Sequence, residues 1–78
     1  MMIMIDIWIP ALNKGLDLEL DDRFCPGEIV SNLKKMMTGY AFSERTKDVF
    51  SYRECKFLTS NISLRDQGIR TGDRLFYI

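Results

Sequence analysis

Cys25 and Cys55 are the strongest nucleophiles in this sequence, and the chain carries no histidine. A cysteine or serine nucleophile needs a base beside it to take its proton, and that base is most often histidine. Neither arrangement can be built here. Two cysteines with no Cys-x-x-Cys spacing and no histidine do not make a zinc site. One disulfide is the alternative to two reduced, partly buried thiols in a cytosolic protein; the thiols are the expectation. Asp21 and Asp22 are adjacent carboxylates, but neighbours on a loop do not form a metal cage, and solvated loop acids are expected. No G-x-G-x-x-G and no Gly-Lys-Ser/Thr phosphate loop occurs. The sequence therefore offers no catalytic, cofactor-binding or metal-binding residue, calls for no cofactor, and predicts a protein that is not an enzyme.

With catalysis set aside, bulk properties narrow the remaining classes. Seventy-eight residues make one domain, 1–78. A chain of this size buries only about 60% of its unfolded surface, so one layer of core must suffice. A content of 46% hydrophobic and 28% charged residues is that of an ordinary globular domain. Eleven bases balance eleven acids. A neutral chain argues against nucleic-acid binding, which needs a basic face to displace counterions. The apolar start, Met-Met-Ile-Met-Ile-Asp-Ile-Trp-Ile, is interrupted by Asp6 and lacks a basic leader. It is too short to span a bilayer, and a cytoplasmic protein without membrane insertion is expected.

Periodicity supplies the elements. Ile3, Ile5, Ile7 and Ile9 alternate with Met4, Asp6 and Trp8, which predicts a half-buried strand with an isoleucine core face. Pro10 ends it, and Asn13-Lys14-Gly15 signals a turn. Leu16, Leu18 and Leu20 alternate with the solvated Asp17 and Glu19 to complete a hairpin. Pro26 suits the first position of a helix, with Glu28 in the first turn and Lys34 and Lys35 near the end. Ile29, Leu33 and Met36 or Met37 form its apolar stripe, and Gly39 stops it. A loop is predicted over 40–48, a third strand over 49–53 and a short fourth over 56–59. Phe50 and Tyr52 share one side of the third strand, with the side left open. The core expected is Ile3, Ile5, Ile7, Leu18, Leu20, Ile29, Leu33, Leu64, Ile69 and Leu75.

Residues 63–78 organise the rest. Ser63 caps a helical turn, with Asp66 at its third position. Gly68 supplies the positive φ that ends the turn. Gly72-Asp73 makes a second turn before a last strand, 74–78. Arg70 and Arg74 are expected as solubilising charges. The arrangement Ser-Leu-x-Asp-x-x-Ile followed by Gly-Asp-x-Leu resembles the closing segment of the ubiquitin-like β-grasp fold, in which the Leu and Ile plug the open end of the core. The resemblance implies an α+β fold: a mixed sheet of four to five strands, one main helix across one face, and a short helical turn before the last strand. The first and last strands would lie parallel at the centre, joined by a crossover.

Within that superfamily the Gly-Asp pair and terminal strand are most similar to the YukD-like family, the ubiquitin-fold component of Gram-positive type VII (ESX/WXG-type) secretion systems. That similarity implies a cytoplasmic, non-conjugating accessory component acting by protein–protein docking. Ubiquitin-like modifiers and sulfur carriers end in a flexible Gly-Gly whose carboxylate is adenylated; this sequence ends in Leu-Phe-Tyr-Ile. A covalent modifier is not expected. A generic ubiquitin-like adaptor with an unrelated partner is the competing expectation. If the isoleucines face the helix, Met4 and Trp8 face away from it, and so do Phe76 and Ile78 when Leu75 faces in. Met4, Trp8, Phe76 and Ile78 are therefore the candidate protein-docking patch. The partner expected is a protein, and the resemblance implies a membrane-anchored secretion component. A loop, the chain end or a homodimer is the other way to cover the patch.

Overall fold

The computed structural model describes residues 1–36 and 48–78, with the side chain of Met36 outside the description. The elements are β1 (Met2–Ile9), β2 (Lys14–Asp21), α1 (Pro26–Met36), β3 (Val49–Ser51), β4 (Lys56–Phe57) and β5 (Arg74–Tyr77). They form one five-stranded sheet in the order β2-β1-β5-β3-β4. β1 and β5 run parallel at the centre, with Ile7 opposite Leu75. The other pairs are antiparallel.

Alternation in the sequence becomes burial in the sheet. Ile3, Ile5, Ile7 and Ile9 are all buried, and with Leu20, Val49, Leu58, Leu75 and Tyr77 they meet Ile29 and Leu33 of α1. Fully burying one such side chain contributes about 1.5–3 kcal/mol. Leu18 is half-buried at the margin of this core, with Leu16 and Val30. α1 starts as its sequence dictates. Pro26 needs no amide partner in the first turn, and Glu28 Oε1 reaches back to accept the Cys25 N–H at 3.2 Å. The expectations for Met37, Gly39 and residues 40–47, and for the packing of Met36, lie outside the described residues.

The closing segment is built as expected. Ser63 Oγ accepts the Asp66 N–H at 3.1 Å. A one-turn helix, Arg65–Gln67, ends at Gly68 with φ +80°. Leu64 and Ile69 are buried on either side of it. Gln67 anchors the turn: its Oε1 accepts the Thr59 N–H at 2.7 Å, and its Nε2 donates to the carbonyls of Thr59 and Ile62 at 2.9 and 2.7 Å.

Four boundaries differ from the sequence expectation, one of them the end of β5 at Tyr77, a residue short of the 78 expected. The hairpin turn is made by a short helical turn, Pro10–Leu12, and by Asn13 with φ +49°. Asn tolerates that left-handed backbone, so β2 begins at Lys14 and Gly15 is a strand residue opposite Trp8. β3 stops at Ser51, because 52–55 turns through Cys55 with φ +52°. β4 is correspondingly short, two residues instead of the four expected.

Candidate functional site

α1 packs on one face of the sheet, so the other face takes whatever the strands point outward. Register puts those side chains in rows. Gly15 of β2 lies opposite Trp8 of β1, Trp8 opposite Phe76 of β5, Phe76 opposite Phe50 of β3, and Phe50 opposite Phe57 of β4. Partners in register share a face. The outer face therefore carries a continuous aromatic row across four strands. The Phe50 and Phe57 rings meet edge to face at 5.2 Å, and Tyr52 adds an edge contact to Phe76 at 6.1 Å. Trp8, Phe50 and Phe76 are half-buried, while Phe57 is 59% and Tyr52 65% exposed.

Trp8 and Phe76 are direct neighbours in this row. Ile78 lies one residue beyond β5, and its backbone exchanges two hydrogen bonds of 2.9 Å with Asp48. Met4 is on the same face, opposite Glu19. Between Met4 and Trp8 lies a charged row, in which Asp6 Oδ2 accepts from Arg74 Nε at 2.8 Å. Phe50, Tyr52 and Phe57 are members of the surface that sequence alone left unassigned. A three-residue strand has too little alternation to show its face; register with Phe76 decides it.

Elsewhere several ionisable groups are engaged in structure. Asp73 is buried and grips Arg53 through two hydrogen bonds, Nε to Oδ1 at 2.7 Å and Nη2 to Oδ2 at 2.9 Å. It also accepts the Arg70 N–H at 2.8 Å. The Arg53 guanidinium, helped by the Arg70 amide, holds the Asp73 carboxyl below its ordinary range despite burial. Arg53 also donates to the Gly68 carbonyl, which joins the β3–β4 turn to the closing segment. Asp21 is held low by a two-pronged hydrogen bond from Arg23, and Asp22 accepts from the Met1 ammonium at 3.1 Å. Burial, then Glu28, pushes the Cys25 thiol up, away from the thiolate that nucleophilic chemistry uses. Cys55 is exposed, and neither cysteine is in a disulfide. Among the described residues no group of three or more His, Cys, Asp or Glu could hold a metal ion. Among them no helix is long and apolar enough to cross a membrane. A cleft of about 640 Å³ beside the start of β1 is lined by Met2, Ile3 and Ile69; its carboxylates, Asp22 and Glu54, are already paired.

No protein-family model matches the chain, and no curated protein matches it either. Solved structures do. The EccD5 ubiquitin-like domain of Mycobacterium xenopi is 15% identical, aligns over 100% of this chain and 93% of its own, and superposes with a TM-score of 0.70. The ubiquitin-like domain of an Arabidopsis thaliana protein is 12% identical, over 96% of this chain and 73% of that one, with a TM-score of 0.73. A de novo design based on ubiquitin is 16% identical, over 96% and 84%, with a TM-score of 0.73. Identities this low carry the fold and nothing finer. With the parallel β1–β5 pair, the single long helix described and the Leu64–Ile69 plug, they establish that the chain has the ubiquitin-like β-grasp fold.

Proposed function

We propose that this protein is a non-catalytic, non-conjugating ubiquitin-like docking component, and that its setting is a type VII secretion apparatus. The observation that carries the docking role is the aromatic row Trp8–Phe76–Phe50–Phe57. Large aromatic side chains left on a sheet face are the groups that dominate protein–protein contacts when a partner excludes water from them. The secretion setting is supported by two likenesses that share one fold: the closing segment resembles the YukD-like family, and the whole chain superposes on the EccD5 ubiquitin-like domain. Fold does not fix function, so the setting rests on those likenesses and the docking role on the face. The partner proposed is a larger, membrane-anchored secretion component on its cytoplasmic side.

The competing proposal is a ubiquitin-like adaptor with an unrelated partner. Affinity capture of the tagged protein from its own cells, followed by intact-mass and partner identification, separates the two. An unmodified chain recovered with a secretion ATPase or other machinery component supports the secretion setting. An unmodified chain with an unrelated partner favours the adaptor. A chain recovered as a covalent adduct through its C-terminus overturns both.

A further inference from the structure

The outer face is electrically lopsided. On β2, Asp17 and Glu19 are both exposed, and neither is in an ion pair among the described residues. The central cation of the face, Arg74, is already engaged by Asp6. Among the described residues, the aromatic row therefore runs, on its β2 side, into negative charge that no ion pair offsets. A depression of about 460 Å³ lies where the two meet, lined by Asp6, Trp8, Gly15, Asp17, Arg74 and Phe76. Aromatic walls beside a free carboxylate form an environment that attracts a cation twice over, through the ring quadrupole and through the charge.

We infer that the occupant of this face is an amphipathic helix of a partner protein, laying apolar side chains along the aromatic row and setting an Arg or Lys beside Asp17. This deepens the docking role and rests on it. The row crosses four neighbouring strands, a span of about 14 Å at roughly 4.8 Å per step. That matches about two and a half turns of helix. The sheet already carries one helix on its other face, so a second helix completes a layered packing. A partner helix with acidic flanks meets Asp17 and Glu19 as like charges, which discriminates against it.

Trp8 is the only tryptophan in the chain, so its emission reports on this face alone. The test titrates the protein with three capped helical peptides that share one leucine and alanine stripe and differ only in flanking arginine, glutamine or glutamate. The expected result is a saturable change in Trp8 emission with the arginine peptide and binding about tenfold weaker with the glutamate peptide. One exposed ion pair gained with arginine and one like-charge repulsion met by glutamate supply a difference of that size. The gap narrows as salt is raised, and Asp17→Lys reverses the order of the arginine and glutamate peptides. Equal binding of all three peptides, or an order unchanged by Asp17→Lys, overturns the basic-helix inference and leaves the docking face standing. No response to any of them also overturns it, and the docking role is then decided by partner capture. Self-association at the titration concentrations that is lost in Trp8→Glu assigns the face to a second copy and overturns it too.

Discussion

Trp8 and Gly15 face each other across β1 and β2, and the indole occupies the space a side chain at position 15 would take: a Cβ there would lie 3.0 Å from Trp8 Cε3. Gly15→Ala therefore moves the indole. The neighbour is the far end of a flexible side chain, so the cost is an off-rotamer tryptophan, about 0.5–1.5 kcal/mol. Replacing a strand glycine by alanine returns about 0.5–1 kcal/mol. Net stability changes by less than about 1 kcal/mol, while Trp8 emission shifts. Urea unfolding followed by fluorescence checks both. Unchanged emission would mean that the indole does not lie over Gly15.

The Arg53–Asp73 clasp and the Arg74–Asp6 pair differ in burial, and stability should follow. Asp6 is 34% exposed and Arg74 59%, against 7% for Asp73. Arg53→Met strands a buried carboxylate and costs about 1–3 kcal/mol. Arg74→Met costs less than about 1 kcal/mol. Urea midpoints of the two variants measured side by side give the comparison, and equal losses would contradict it.

Acid should act through Asp73. Its folded pKa is lowered, chiefly by Arg53, so between that value and the unfolded value of about 3.9 the unfolded chain binds more protons. The contribution is complete above the unfolded pKa and is lost as pH falls through the folded one. In Asp73→Asn that term is absent. The stability gap between wild type and Asp73→Asn should be flat near neutral pH and shrink below about pH 4. A gap independent of pH would remove Asp73 from the acid response.

Two residues of the closing segment test its local design. Ser63→Ala removes the acceptor for the Asp66 N–H and costs about 1 kcal/mol. Gly68→Ala places a side chain at φ +80° and 3.2 Å from Glu54 Oε1, and costs about 1–2 kcal/mol. Thermal or urea unfolding reads both. A neutral Gly68→Ala would show that the turn does not need its left-handed residue.

The sequence made legible what local chemistry dictates. Alternating isoleucines gave β1, Pro26 and Glu28 gave the start of α1, and Ser63 with Gly68 gave the plug turn. What escaped depends on residues far apart or on competition between neighbours. Within the turn signal Asn13-Lys14-Gly15 it is Asn13 that takes the left-handed position, and Gly15 lies in the strand under Trp8. The Asp73–Arg53 clasp joins residues twenty apart, and no periodicity marks it. Gln67 reads as a surface residue until its three backbone partners are seen. In the candidate face, Trp8 and Phe76 followed from strand alternation. Phe50 and Phe57 became visible only through the register of β3 with β5 and of β4 with β3.

A docking surface on the outer sheet face requires that a charge placed at position 8 abolish capture of the partner. Wild type and Trp8→Glu are compared for capture of the partner from the protein's own cells, with amide spectra recorded to establish that the variant keeps the fold. Trp8→Glu should retain the wild-type spectrum away from the outer face and lose the partner. A folded Trp8→Glu that recovers the same partner in the same amount would contradict it.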